Sequence, residues 1–319
     1  MSFSISEIKQ AKERIAPYVV ETPLLRMPNL DSFLGCQVYV KAECMQTTGA
    51  FKLRGAMNKT LMLSEEQRKI GVVSASSGNH GRGMAYAAKV LGGKATIVMP
   101  KTAPKLKIEA IKALGAEVVL CDISERFEIA ERIQKETGAI NVPPFNDEDI
   151  MAGQGTAGIE IATQCPELNK VIVPVSGGGL ISGIATAVKA LAPSIDVYGA
   201  EHSALPRYST SLAAGKPVVV EQKPTVADAL ASPRPGEKCF PYVAKYVTAV
   251  AAVDDEYMLK AMKLMLTEGK ILAEPSSCIG IGAVMQGLIK VTPEDKVCFF
   301  LSGGNVSIEQ IARLDNVTL

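Results

Sequence analysis

Short apolar runs alternate along this chain with segments whose apolar positions recur every three or four residues. The runs are 38–41, 71–74, 95–99, 117–121, 140–142, 170–175, 196–199, 247–253 and 297–301. They are rich in β-branched residues, and most are apolar throughout rather than alternating, the pattern of strands covered by helices on both faces of a parallel sheet. Between them, Met84, Ala87, Ala88 and Leu91 keep the spacing of one helix face, as do Leu180, Ile184, Val188 and Leu191. Ser4-Ile5-Ser6-Glu7 offers a capping box for a first helix running to about Ile15. The pattern predicts an α/β protein. A block over 46–145, closed by Pro143-Pro144, carries its own strand and helix units. It predicts a smaller domain inserted into a larger one made of 1–45 and 146–319.

Composition narrows the field by exclusion. The net charge of +1 over 319 residues gives no global attraction for nucleic acid or anionic membrane. No basic-then-apolar leader opens the chain and no apolar run is long enough to span a bilayer, so a soluble cytoplasmic protein is the expectation. Seven cysteines without a C-x-x-C pair suit reduced thiols better than a disulfide framework. Two histidines, His80 and His202, are too few for a multi-histidine metal centre.

Ligands of open α/β sheets bind beyond the carboxyl ends of the strands, which directs attention to the loops there. Thr48-Gly49-Ala50-Phe51-Lys52 delivers one lysine, beside an aromatic, to the start of a helix. Desolvation would make Lys52 a candidate Schiff-base nucleophile, although a structural lysine is the commoner occupant of such a place. Ser74-Ala75-Ser76-Ser77-Gly78-Asn79-His80-Gly81 joins small hydroxyls and an amide at a helix start, which suits a carboxylate or phosphate or, more plainly, a serine cap. Ser176-Gly177-Gly178-Gly179-Leu180 offers a nest of amides for a phosphate. Ser302, between a strand end and two glycines, offers a neutral hydrogen bond or a simple turn. A rival is a nicotinamide-dinucleotide oxidoreductase, with Gly177 and Gly179 as fingerprint glycines and Glu201 as the ribose-binding acid. A non-catalytic amino-acid sensor is a third reading. A lysine, a phosphate nest, an anion site and a neutral hydroxyl together match an aldehyde-bearing pyridine phosphate.

With these motifs, in this order and over nearly its whole length, the chain resembles the serine racemase and threonine/serine dehydratase family of pyridoxal-phosphate enzymes. The resemblance implies fold type II, with two open, twisted, mostly parallel sheets in two domains. It implies that Lys52 holds the cofactor covalently and takes the α-proton once the substrate amine displaces it, with Phe51 packed against the ring. Ser176, Gly177, Gly178, Gly179 and Leu180 would hold the phosphate, Asn79 the phenolic oxygen, and Ser302 would face the ring nitrogen. Ser76, Ser77, Asn79 and His80 would receive the carboxylate of a small amino-acid substrate. Elimination from serine or threonine to a 2-oxo acid and ammonia is the implied reaction. Ser77, where many dehydratases have alanine, would add racemisation by moving a proton on the opposite face. A homodimer is implied as well.

The chain departs from the family pattern in places. Relatives bind a divalent cation through a glutamate matching Glu201 and an aspartate where this chain has Arg207. An arginine repels a cation, so no metal site is expected, and a guanidinium pairing with Glu201 is the expected substitute. Arg82 replaces a glutamine and is expected to face solvent rather than to read a second acidic group of the substrate. The chain stops after the catalytic region, so feedback through an isoleucine-sensing domain is not expected.

Overall fold

The computed structural model describes residues 3–76, 78–103 and 105–319, the side chain of Leu106 aside. Ten strands form two sheets: β1 Leu24–Arg26, β2 Gln37–Ala42, β3 Val72–Ala75, β4 Ala95–Pro100, β5 Glu117–Cys121, β6 Ile140–Asn141, β7 Lys170–Pro174, β8 Asp196–His202, β9 Ala249–Val253 and β10 Lys296–Leu301. The larger sheet has the order β1-β2-β10-β7-β8-β9 and the smaller the order β5-β4-β3-β6. All pairings are parallel except β1 with β2. Each of the nine apolar runs contains a strand, so the α/β class with two mostly parallel sheets stands. The tenth strand, β1, is a three-residue edge whose Leu-Leu-Arg carries no periodicity to read.

The strands are apolar throughout because both faces are buried. On the larger sheet Ile172, Val297, Phe299 and Leu301 pack with Ile279 and Ile281 on one side. Val171, Val173, Cys298 and Phe300 pack with Ile184 and Val188 on the other. On the smaller sheet Val72, Ile97 and Met99 meet Met84 and Ala88, while Val73 and Val98 face Ala130. Alternate residues thus enter opposite cores. The predicted helix faces hold: Met84, Ala87, Ala88, Ile184 and Val188 are buried, and Leu191 is exposed at its helix end. The capping box forms at Ser4 and Glu7, opening the helix Ile5–Ile15. No helix among the described residues is long and apolar enough to cross a membrane.

Three loops leave the carboxyl ends of β3, β7 and β10, and the Lys52–Met62 helix starts beside the last of them. A buried ionic cluster anchors that helix two residues beyond Lys52. Arg54 donates to Glu43 (Nε to Oε2, 2.8 Å) and to Glu160 (Nη2 to Oε2, 2.7 Å), and Lys41 reaches Glu160 at 2.6 Å. None of the four side chains is more than 3% exposed.

Candidate active site

The lysine turn and the loop after β10 are stitched together. Phe51 donates its N–H to Ser302 O at 3.0 Å, Gly304 donates to Gly49 O at 2.9 Å, and Ala50 bridges to Gly303. Gly49 takes φ +72°, the left-handed conformation this hairpin-like contact needs. Lys52 is thereby set at the first turn of its helix, half-buried, with Nζ donating to Pro144 O at 2.6 Å and 5.1 Å from the Phe51 ring centre. Burial pulls its amine down to about 8. Phe51 packs edge-on against Phe300. Ser302 is buried, and its hydroxyl lies 3.0 Å from that of Ser277, with no charged partner among the described residues.

The second loop starts the helix Asn79–Val90. Gly78 is the N-cap residue, and Ser76 Oγ, two residues before it, accepts from Gly81 N–H at 3.2 Å in the first turn. Ser77 lies outside the described residues. The amides of Asn79 and His80 have no partner among the described residues, which leaves donors for an anion at the positive end of the helix. The imidazole of His80 contributes differently from expectation. Its Nε2 lies 3.1 Å from Val142 O, and a carbonyl only accepts, so Nε2 carries the proton and the buried Nδ1 bears a lone pair. Burial and the nearby Lys52 charge hold it neutral, down to about 3. It cannot donate to a carboxylate; only its backbone N–H can. Asn79 donates to the Glu274 carboxylate at 2.9 and 3.1 Å and accepts from Asn305 Nδ2 at 2.7 Å, which fixes its amide rotamer. Burial pushes Glu274 up to about 7.

The third loop, 176–179, leads from β7 into the helix Gly179–Leu191, with Gly178 at φ +98°. None of the amides of Ser176, Gly177, Gly178, Gly179 and Leu180 has a partner among the described residues. These are the donors a phosphate takes from a nest at a helix start. Phe145 lies against this loop: a β-carbon on Gly177 would fall 2.3 Å from its ring. Arg82 does not face solvent as expected. Its Nη1 donates to Asn305 Oδ1 at 2.5 Å, because Asn305 is turned toward Asn79 and Thr48 O. Glu201 is no ribose acid. Its Oε2 accepts from Tyr208 N–H at 2.8 Å, and its Oε1 accepts from Ser209 N–H at 2.8 Å and Oγ at 2.6 Å. Nor does Arg207 lie within ion-pair distance of Glu201, the expected pairing; its Nη1 donates to Val175 O at 3.1 Å. A carboxylate whose oxygens already accept three hydrogen bonds, beside a buried guanidinium, does not fit a divalent cation.

Glu274, Ser277 and Tyr208, which the sequence did not single out, complete this site together with Pro144, which it marked only as a domain boundary. Of the first three, only Glu274 left a trace there, as an acid directly before a proline that opens the helix Pro275–Met285.

A lysine with a lowered amine, an unpartnered amide nest and a neutral hydroxyl at the strand ends of an α/β fold are what a lysine-based pyridine-phosphate enzyme needs. The comparisons agree: the family model described as "Pyridoxal-phosphate dependent enzyme" matches residues 15–303, and the chain belongs to that family. It is 42% identical over 315 residues to an L-threonine ammonia-lyase of Thermotoga maritima, covering 98% of this chain and 78% of that one. It is 40% identical over 310 residues to a serine racemase of Oryza sativa subsp. indica, covering 95% and 91%. The structure of maize serine racemase superposes with a TM-score of 0.94 at 38% identity, covering 98% of this chain and 97% of that one.

Proposed function

We propose that the protein is an ammonia-lyase that converts serine or threonine to a 2-oxo acid and ammonia, with racemisation of serine as a second outcome at the same site. The observation that carries this reading is Ser302, a neutral hydroxyl beside the Lys52 turn with only Ser277 for a side-chain partner among the described residues. Once bound, pyridoxal phosphate supplies an electron sink next to the substrate α-carbon. Lys52 would hold it covalently, the 176–180 amides its phosphate, and Asn79 its phenolic oxygen, with the amide oriented by Glu274. Phe51 would pack against its ring.

Ser302 offers the ring nitrogen a hydrogen bond but no counter-charge. A neutral partner at that position would drain less charge into the ring and so favour loss of the β-hydroxyl. Lys52, with its amine brought near neutral pH, takes the α-proton. Ser76, Ser77 and the amides of Asn79 and His80 receive the substrate carboxylate, while the neutral His80 imidazole adds no charge that would repel Lys52. Ser77 supplies the proton on the opposite face. Arg82 has its Nη1 engaged with the neutral Asn305 amide and keeps its charge beside Asn79, so threo-3-hydroxyaspartate and aspartate belong in the substrate panel.

The test is a panel of serine, threonine, threo-3-hydroxyaspartate and aspartate in both enantiomers, scored for 2-oxo acid and for chirality. Serine and threonine are expected to give 2-oxo acid; none from either would overturn the reading. Ser77→Ala is expected to abolish racemisation while keeping most elimination, and equal loss of both would assign Ser77 to carboxylate binding instead. Excess chelator is expected to leave turnover and the thermal midpoint unchanged, because Glu201 is committed to the Arg207–Ala214 helix; a marked drop in either would restore the cation site.

We further place the domain division at 1–45 with 146–319 and at 46–145, supported by the separate four-stranded sheet within the second segment. A cytoplasmic homodimer is proposed with it. All seven cysteines are free thiols, which suits a reducing compartment.

A further inference from the structure

The carbonyl side of the glycine loop is as heavily engaged as its amide side is free. Val175 O accepts from Arg207 Nη1 at 3.1 Å. Gly177 O accepts from Tyr208 Oη at 3.1 Å and from Gly236 N–H at 2.9 Å. Gly178 O accepts from Ser182 Oγ at 2.7 Å and N–H at 3.0 Å. Two of these donors are the first two residues of one helix, Arg207–Ala214. Glu201 fixes the start of that helix from the end of β8, binding the Tyr208 and Ser209 amides with its two oxygens. The fit is close: a β-carbon on Gly178 would lie 1.8 Å from Tyr208 Oη. Arg207 and Tyr208 are both fully buried, and Arg207 Nε and Nη2 have no hydrogen-bond partner among the described residues. A guanidinium in that state lends the loop a positive charge that solvent screens little.

We propose that Arg207 and Tyr208 are positioning residues for cofactor phosphate binding, a clamp that holds the loop carbonyls outward so that the amides of 176–180 converge on one point. The inference rests on the reading of 176–180 as the phosphate site. A peptide unit whose carbonyl is pinned cannot flip its N–H away from the ligand, so the nest is pre-formed rather than induced. Arg207 adds electrostatic preference for a doubly charged phosphate over a neutral ligand.

The test uses full-length apoprotein titrated with pyridoxal phosphate, with pyridoxal lacking the phosphate, and with inorganic phosphate followed by ³¹P NMR. Tyr208→Phe, which removes one oxygen and keeps the packing, and Arg207→Met are each expected to weaken pyridoxal phosphate binding about tenfold. Both should move the bound ³¹P resonance and leave pyridoxal affinity unchanged, and Arg207→Lys should recover most of the Arg207→Met loss. If the unmodified protein shows no phosphate-dependent gain over pyridoxal, the phosphate-site reading itself fails. If it shows the gain and both variants keep it with an unmoved resonance, the clamp is overturned. Equal loss of pyridoxal and pyridoxal phosphate would likewise overturn it, since that is the result of general damage to the fold.

Discussion

Lys52→Ala is expected to lose covalent cofactor attachment and to lower turnover on the order of 10⁴-fold. The reason is placement. Lys52 is the lysine that the stitched 48–52 turn sets beside Ser302, whereas the fully buried Lys41 is bound to Glu160 and Thr22 O. Borohydride reduction followed by peptide mass analysis should find the cofactor on Lys52 in the unmodified protein and nowhere in the variant. Full turnover in Lys52→Ala would sink the assignment of cofactor attachment and α-proton transfer to Lys52. The pH dependence follows from the lowered amine. A free amine is needed for attachment, so the attachment rate to apoprotein should rise with pH to about 8 and then level. Stability should move in the same direction. From about 8 up to the ordinary lysine value of 10.5, the unfolded chain keeps a proton the folded one has released, and folded stability rises with pH across that window. Below it both states are protonated and the slope vanishes. Lys52→Ala should flatten the apoprotein profile there, as read by urea unfolding.

Arg54→Met is expected to destabilise the fold by about 3–5 kcal/mol, the cost of stranding buried charges. Burial alone would raise the Glu43 carboxyl, but the charge and hydrogen bonds of Arg54, with Thr22, more than offset this and hold it below its usual range. Without Arg54, Glu160 keeps its ion pair with Lys41, whereas Glu43 is left with the Thr22 hydrogen bond and the more distant charge of Lys41. The double variant Arg54→Met/Glu43→Gln should therefore recover part of the loss. A shift below about 1 kcal/mol in Arg54→Met would show that the cluster is hydrated and contributes little.

The apolar runs were legible because strands buried on both faces announce themselves by composition, whereas β1 is an edge too short to do so. The glycine and serine loops were legible for a similar reason, since a strand end followed by three glycines has few structural uses. Side-chain direction was another matter. Arg82 was expected in solvent because its helix position gave no hint that Asn305, 223 residues away, would be turned toward it. Arg207 was expected on Glu201, yet the backbone amides of its own helix take that carboxylate. Glu274 and Tyr208 act on loops distant in sequence, and a single chain read in order contains no signal for such pairings.

The strand order also sets when the site can exist. β10 lies in the middle of the larger sheet, joining β2 to β7, although it follows the other nine strands of the described residues in sequence. On the ribosome, the Lys52 turn and the glycine loop have both emerged long before residues 296–305 arrive to unite them. A nascent chain has no assembled cofactor site until that final strand inserts. If the proposed site is the cofactor site, a chain arrested before β10 should stay colourless however long it is supplied with pyridoxal phosphate.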